Sequence, residues 1–327
     1  MILSNKQVAE LKQQLRKFIG EAVCAALVDP TVTDIKVGED GVVWLQKHGL
    51  GEVSTGKFLP EERRRLALNV IATLLGKRIN AGCSRLSGEL PLTGDRVQGF
   101  VPPTAAPSFY IRRHAPDVFT FDDYLAKGIL ELWQVDVIRA HMRRRSNIII
   151  SGSTGSGKTT ILNTAIQELS DANEHVVVIE DTREIKVMAP NVSRLQTSET
   201  TTLQQLIVDA MRVAPKRLVI GETRDKAGLE LLKAWDTGHR GGLTTVHATN
   251  AGRVFDRFAQ FCYEAGVPPQ WELMRSTINL IVHMEMTPRG RRAVEIIELR
   301  TEEKKGEGLP EYLSQALTTL CGEGESA

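Results

Sequence analysis

Nine consecutive residues, GSTGSGKTT at 152–160, have the composition and spacing of a phosphate-binding loop. They satisfy the pattern G-x-x-x-x-G-K-[ST] and stand between a strand-like run, NIII, and a helix-like run, TTILNTAIQEL. A glycine-rich surface turn would share the composition but not this setting. Backbone N–H groups of such a loop surround phosphate oxygens, its lysine reaches the β- and γ-phosphates, and its hydroxyl ligates Mg²⁺. We predict a nucleotide site formed by Gly152, Ser153, Thr154, Gly155, Ser156, Gly157, Lys158, Thr159 and Thr160, with Thr159 on the metal.

A second strand-like run, RLVIGE, ends in a carboxylate. The carboxyl ends of parallel strands form the ligand-binding edge of a sheet, so Glu222 is a candidate to orient the attacking water. Many phosphate-loop enzymes have an aspartate just before this glutamate that holds Mg²⁺ through water, but Gly221 occupies that position here. We expect the remaining metal ligands to come from the run IEDTREI, as Glu180 and Glu184 with Asp181 beside them. A solvated strand end is the alternative for that run.

The run GGLTTVHATNA contains a histidine, two neighbouring threonines and an asparagine. A catalytic nucleophile is disfavoured because no nucleophile elbow precedes the run, and a metal site is disfavoured because no His or Cys stands at ligand spacing. If GGLTTVHA is the strand that follows RLVIGE, its end lies beside the phosphates. There the threonine and histidine side chains can donate to the γ-phosphate and sense its loss. A buried, hydrogen-bonded histidine fits the same pattern, so the residues alone leave both interpretations of His247 open.

Composition places the chain among ordinary globular proteins and limits its partners. The 327 residues are 42% hydrophobic and 25% charged, and 41 Lys and Arg against 40 Asp and Glu give a net charge of +1. This balance does not suggest sequence-independent binding to nucleic acid, and we expect no direct sequence-specific binding either. With 5% aromatic residues the composition gives little support to a helicase ring with a basic, aromatic groove. No apolar run reaches the roughly 18 residues of a membrane span. The four cysteines are widely spaced, which favours a cytoplasmic location.

The patterning of the chain predicts two domains. Residues 1–114 mix an amphipathic helix with short strands, a hairpin turn at Glu39-Asp40-Gly41 and a second helix, which indicates a small α+β domain. Residues 115–122 read as a linker. Over residues 123–327, apolar strands alternate with helices, which predicts an α/β domain with a parallel-rich sheet covered on both faces. The tail after Thr301 is rich in Glu, Lys and Gly and is expected to be mobile.

Four segments in this order, GSTGSGKTT, IEDTREI, RLVIGETRD and TGHRGGLTTVHATNA, resemble the secretion-ATPase superfamily that powers type IV secretion, type II secretion and type IV pili. In that family they are the Walker A, Asp, Walker B and His boxes. The N-terminal run LPLTGDRVQGFVPPTAAPSFYIRRH also resembles the family, and the likeness extends over about residues 30–300. Within the superfamily the chain is most similar to the compact conjugal transfer ATPases of plasmid mating channels. The resemblance favours a catalytic or sensing role for His247.

The resemblance implies a fold, a reaction and partners. It implies a C-terminal RecA-like phosphate-loop NTPase domain and ATP, with Mg²⁺, bound between the two domains. Arginines of the N-terminal domain would reach the phosphates, and the best matches are Arg112 and Arg113, with Arg96 as a further candidate. It also implies hydrolysis of ATP by a homohexamer that acts on inner-membrane components of a secretion or conjugation channel. Peripheral association with the membrane is compatible with this role. A pilus assembly or retraction ATPase, a DNA-translocating helicase-like ring and a small-molecule kinase are the alternatives.

Overall fold

The computed structural model describes residues 3–47, 49–113, 118–169, 174–198 and 200–299. The N-terminal part forms a six-stranded antiparallel sheet in the order β3-β2-β1-β6-β5-β4, covered on one face by two helices. Its elements are α1 (Asn5–Ala26, interrupted at Gly20), β1 (Val32–Val37), β2 (Val42–Lys47), β3 (Gly51–Phe58), α2 (Glu61–Leu74), β4 (Arg85–Glu89), β5 (Arg96–Phe100) and β6 (Ser108–Arg112).

The N-terminal sheet has one buried face and one open face. The core lies between the sheet and the helices. Its fully buried residues include Ile35 and Val37 of β1 and Leu68 and Ile71 of α2. The turn between β1 and β2 contains Gly41, which has a φ of +73° and packs tightly enough against neighbouring atoms to leave no room for a side chain. The α+β character and the hairpin turn predicted from the sequence are therefore confirmed.

The C-terminal part forms a seven-stranded sheet in the order β13-β12-β7-β11-β10-β8-β9, in which only β13 runs antiparallel to its neighbour. Its elements are α3 (Phe121–Ala126), α4 (Leu132–Arg143), β7 (Ile148–Gly152), α5 (Lys158–Gln167), β8 (Val176–Glu180), β9 (Val192–Gln196), α6 (Leu203–Arg212), β10 (Arg217–Ile220), α7 (Ala227–Asp236), β11 (Leu243–Val246), α8 (Arg253–Glu264), α9 (Trp271–Thr277), β12 (Leu280–Thr287) and β13 (Gly290–Glu298).

Helices cover both faces of this sheet. Along β7, Ile149 packs into the core shared with α6 to α9, whereas Ile148 and Ile150 pack into the core shared with α3, α4 and α5. Because successive side chains of a strand point to opposite faces, a strand buried on both faces is largely apolar. This explains why the sequence revealed β7, β8 and β10, and the predicted α/β fold with a parallel-rich sheet is confirmed.

The division into domains remains a prediction. Part of the predicted linker at 115–122 lies outside the described residues, as does the tail after Thr301. Helix α3 begins at Phe121, inside the predicted linker, and Phe121 is buried in the core of the C-terminal sheet. Among the helices of the described residues, none is long and apolar enough to cross a membrane.

Asn147 lies just before β7 and forms hydrogen bonds near the starts of β11 and β12. Its side chain is buried, accepts the N–H of Gly242 at 3.0 Å and donates to the carbonyl of Thr277 at 2.7 Å. Its own N–H donates to the side chain of Asn279, and its carbonyl accepts the N–H groups of Asn279 and Leu280. These bonds fix the register of β7 against β11 on one side and β12 on the other.

We expect Asn147→Ala to lower the free energy of unfolding by about 2–5 kcal/mol, because each buried backbone group left without a partner costs about 1–3 kcal/mol. Urea unfolding followed by circular dichroism measures the change. Asn69→Ala removes the same amide from an exposed position on α2 and should cost nothing. Equal stability of the two variants would show that Asn147 does not hold the strands in register.

Candidate nucleotide site

The predicted phosphate-binding loop connects the carboxyl end of β7 to the start of α5, as its mechanism requires. Gly155 and Gly157 have φ values of +78° and +97°, in the left-handed region that favours glycine. At Gly152 a Cβ atom would overlap the carbonyl oxygen of Met284 on β12, so only glycine fits at the end of β7. The strand–loop–helix setting predicted from the sequence is present, with the loop curled ahead of the helix N-terminus.

Lys158 lies inside this loop. Its ammonium donates to the carbonyls of Gly152 at 3.0 Å and Ser153 at 2.8 Å, and it lies 3.4 Å from Nδ1 of His247. Burial lowers the pKa of Lys158 to about 8, although the nearby negative charge of Glu222 opposes this shift. A buried ammonium without a full counter-charge is in the electrostatic environment that favours an arriving phosphate.

His247 connects Lys158 to Glu222. It follows β11 directly, and its Nε2 lies 3.2 Å from Oε1 of Glu222, which comes two residues after β10. Burial, and next the charge of Lys158, lowers the pKa of His247, so the imidazole is neutral at neutral pH. Because Lys158 can only donate, Nδ1 accepts from it and Nε2 carries the hydrogen that Glu222 accepts. The structure thus brings together the three residues predicted to be catalytic.

The two threonines before His247 have a different role from the one expected. Thr244 and Thr245 are buried in β11. The hydroxyl of Thr244 lies 2.6 Å from that of Thr223, and the hydroxyl of Thr245 donates to the carbonyl of Gly221 at 2.7 Å. Thr244 and Thr245 are therefore not placed to donate to the γ-phosphate as expected. A strand buried on both faces directs its side chains into the protein, and these hydroxyls instead anchor the turn that carries Glu222.

The acidic run after β8 forms a folded loop. Glu180 is buried, and its Oε1 accepts the N–H groups of Glu184 at 2.8 Å and Ile185 at 2.6 Å. Burial raises the pKa of Glu180 while these two hydrogen bonds lower it. Asp181 pairs with Arg224, which follows Glu222 in sequence. The carboxylate of Glu180 already holds the loop together, and its predicted role at the metal remains a prediction.

The neighbouring arginines Arg112 and Arg113 point to opposite faces of the N-terminal sheet. Arg112 is exposed on the open face and pairs with Asp34 at 3.0 Å. Arg113 is mostly buried on the helix-covered face, near Asp95. Its guanidinium donates to main-chain carbonyls of Ala26, Asp29 and Val32. Within the described residues, neither arginine is bonded to the phosphate loop. Arg113 directly follows β6 and makes packing contacts, and phosphate contact by Arg112 or Arg113 remains a prediction.

Arg96, on β5, reaches the C-terminal part of the chain. Its Nε donates to the Thr182 hydroxyl at 3.2 Å, and its Nη2 lies 3.2 Å from Oε1 of Glu184. Glu89 on β4 accepts the N–H of Arg183 at 3.0 Å in the same loop. The acidic loop, including the predicted metal ligand Glu184, is therefore where the two sheets are joined by hydrogen bonds and an ion pair.

A further arginine at the loop escaped the sequence analysis. Arg291 on β13 donates from Nε to the carbonyl of Gly155 at 2.9 Å, and its side chain passes beside Gly157. The hairpin formed by β12 and β13 therefore contributes a positive charge to the loop from 136 positions along the chain. In the sequence this arginine lies in a basic run, PRGRR, that belongs to no motif, so its role was only weakly indicated there.

A parallel sheet with a phosphate loop after one strand, and an acid and a histidine after the next two strands in space, defines a phosphate-loop nucleotide-binding protein of the RecA-like class. The family model for "Type II/IV secretion system protein" matches residues 95–307, and the chain belongs to that family.

Relatives match along almost the whole chain. The probable conjugal transfer protein TrbB of Sinorhizobium fredii is 38% identical over 311 residues, 94% of each chain. Conjugal transfer protein TrbB of Rhizobium radiobacter is 37% identical over 292 residues, 88% of this chain and 90% of that protein.

Solved structures share the fold. The pilus retraction motor PilT with bound ADP has a TM-score of 0.65 at 18% identity, covering 85% of this chain and 82% of PilT. The Legionella pneumophila ATPase DotB has a TM-score of 0.61 at 22% identity, covering 85% and 79%.

The geometry predicts how Lys158 titrates. Its pKa should lie near 8 rather than 10.5, and Glu222→Gln should lower it further, since loss of the carboxylate charge removes a stabiliser of the ammonium. The ε-carbons of ¹³C-labelled lysines report this titration by NMR, with the Lys158 signal assigned from its absence in Lys158→Ala. Glu10→Gln, at an exposed site on α1, should leave it unchanged. A midpoint near 10.5 in the unmutated protein would contradict the buried position of Lys158.

Proposed function

We propose that this chain is the ATP-hydrolysing motor of a type IV secretion apparatus of the conjugal DNA-transfer kind. Its membership of the type II/IV secretion family and its similarity to conjugal transfer proteins along nearly all of both chains support the biological role. One observation supports the chemistry above the others. Lys158, His247 and Glu222 form a continuous contact chain that begins inside the phosphate-binding loop.

Each residue of this chain has a role in attack of water on the γ-phosphate. Lys158 exchanges its carbonyl contacts for phosphate oxygens and offsets the charge of the transition state. Glu222, about two-fifths exposed, is accessible to the attacking water and orients it. His247 lies between the two as a neutral donor, so loss of the γ-phosphate changes its surroundings directly. This arrangement favours the sensor interpretation of His247 over that of a buried structural histidine.

The residues present fit Mg²⁺ bound together with a nucleotide. This ion keeps several waters and takes one or two protein ligands besides phosphate oxygens, so a dedicated cage is not required. No group of three potential metal ligands among His, Cys, Asp and Glu occurs within the described ranges. Thr159 is half-buried in the first turn of α5 and supplies the hydroxyl such a site needs. Ser156 has a buried hydroxyl with no partner among the described residues, as expected where a polar ligand belongs.

The contacts between the two sheets offer a route from hydrolysis to movement. Arg96 and Glu89 of the N-terminal sheet bind the loop after β8. Asp181 of that loop pairs with Arg224, which is two residues after Glu222 in the chain. A change at Glu222 on loss of the γ-phosphate therefore reaches the N-terminal sheet through one loop. Closure of the sheets around ATP would also bring Arg112 toward the phosphates.

We infer a homohexameric ring in the cytoplasm, acting on inner-membrane components of the channel and in peripheral contact with the membrane. These features rest on the family resemblance, and the net charge of the chain is +1, close to neutral. That charge favours protein partners over direct nucleic-acid binding. The likeness to a pilus retraction motor concerns the fold, so a pilus role is the alternative within the family.

Replacing Glu222 with Gln tests the proposal. The amide keeps the shape and a hydrogen-bond acceptor for His247 but loses the charge that orients water, so turnover should fall about 100-fold or more while ATP still binds. Phosphate release measures turnover, and a fluorescent ATP analogue measures binding. Glu10→Gln, the exposed control, should keep full turnover. Undiminished hydrolysis in Glu222→Gln would remove Glu222 from the reaction, and the absence of hydrolysis in the unmutated protein under all nucleotide conditions would refute the motor.

His247→Ala separates a sensor from a structural histidine. A sensor contributes after binding, so turnover should fall about tenfold or more, whereas ATP affinity and melting temperature change little. His239→Ala, on the opposite edge of the sheet, is the matched control and should keep its turnover. Affinity, turnover and melting temperature are measured on the same preparation. Losses that follow a lowered melting temperature would instead identify a core histidine.

A further inference from the structure

A basic pocket opens at the edge of the C-terminal sheet opposite the nucleotide site. Its volume is about 430 Å³, and it is lined by the loops that precede β7, β10 and β11. These strands are parallel, so their amino ends lie one strand length, about 15 Å, from the ends that carry the phosphate loop, Glu222 and His247. Five of the eight lining residues are basic and none is acidic; the basic ones are Arg144, Arg145, Lys216, His239 and Arg240.

Most of this positive charge is uncompensated. Arg144, Lys216 and Arg240 are exposed, and within the described part of the chain none has an ion-pair partner. Glu174 is the nearby acid, and it is shared by Arg145 at 3.7 Å and by the buried Arg217.

Helix dipoles do not account for the cluster. The lining loops follow the C-termini of α4, α6 and α7, and each C-terminus carries about half a negative charge, or about 1.5 charges in total. The four lining Arg and Lys residues exceed this sum. Arg217 adds a further positive charge beneath Gly241, and its Nη1 is buried without a hydrogen-bond partner in the described structure. Such an orphaned donor is rare in native proteins.

The pocket walls are held in a costly conformation. Arg145 and Ala214 both line the pocket and have φ values of +56° and +49°, and they are two of the three non-glycine residues in the left-handed region among the described residues. A side chain in this region is strained, whereas glycine would adopt the same helix-ending turn freely. Arg145 also donates to the carbonyl of Lys216, which links two walls. Its side chain therefore supplies what glycine could not: a bond across the pocket and a positive charge.

We propose that this pocket is a second phosphate-binding site, for a small molecule that carries a polyphosphate group. Converging arginines and a lysine suit phosphate oxygens, and the volume lies within the roughly 300–1,000 Å³ of small-ligand pockets. No Phe, Tyr or Trp side chain lines the pocket, so recognition rests on the anionic group of the ligand. The proposal does not depend on ATP hydrolysis, because the site lies on the other edge of the sheet.

Inorganic pyrophosphate is the probe, and the full chain carrying Lys158→Ala is the background, which weakens binding at the nucleotide loop. Equilibrium dialysis of labelled pyrophosphate without Mg²⁺ should detect binding to this background. Adding Lys216→Ala and Arg240→Ala should weaken the remaining binding about tenfold or more, since each removes a charge-assisted contact. The matched control adds Arg143→Ala and Arg212→Ala, which delete two exposed arginines at the ends of α4 and α6 that do not line the pocket.

A larger loss of binding in the Lys216 and Arg240 pair than in the control pair would support the site, and an equal or smaller loss would show general attraction to positive charge and overturn it. Lack of pyrophosphate binding by the Lys158→Ala background would also overturn it. Circular dichroism confirms folding, and the charge-conserving pair Lys216→Arg with Arg240→Lys should restore binding. A single-stranded oligonucleotide that binds through Lys216 and Arg240 when pyrophosphate does not would reject the small-molecule ligand and indicate a nucleic-acid surface.

Discussion

The buried side chain of Asn147 fixes the alignment on which the rest of the C-terminal part depends. It binds the start of β11 and the residue that closes α9, while its backbone binds the start of β12. Parallel strands of equal rise that begin together also end together. The phosphate loop after β7 and His247 after β11 therefore share one edge of the sheet. A slip of one residue would turn every side chain of the moved strand to the other face and separate them.

Hydroxyl hydrogen bonds between β11 and the turn after β10 also fix positions at the edge of the sheet that carries the nucleotide site. Thr244 and Thr245 bond to the turn after β10, and this turn places Glu222 within reach of His247. The polar groups of the edge therefore fall into two sets. Buried hydroxyls satisfy one another and set positions, whereas Lys158, His247 and Glu222 remain partly open to a ligand. Burial perturbs the pKa values of Lys158 and His247, as is common where chemistry takes place.

The two edges of the same sheet have opposite uses for charge. At the carboxyl edge, Lys158 lies beside carbonyls, a histidine and a carboxylate, and Arg291 supports the loop from the hairpin of β12 and β13. At the amino edge, basic side chains surround a pocket, and Glu174 nearby is shared by two arginines. β7, β10 and β11 run from one edge to the other, so the loops at both edges belong to the same three strands.

Local sequence determined the elements and much of the site. Glycines, a lysine and a hydroxyl define the phosphate loop without reference to distant residues, and largely apolar runs reveal most of the buried strands of the C-terminal sheet. The order of these runs placed Glu222 and His247 at strand ends. Tertiary structure decided the rest, because the partners lie far apart in sequence. Because both faces of β11 are covered, Thr244 and Thr245 point into the protein. Side chains alternate between the faces of the N-terminal sheet at the end of β6, so Arg112 and Arg113 point in opposite directions. Glu180 bonds to a loop that only the fold creates, and Arg291 meets Gly155 because β12 pairs with β7. A sequence records which side chains are available, whereas the packing of the sheet determines which of them remain free to meet a ligand.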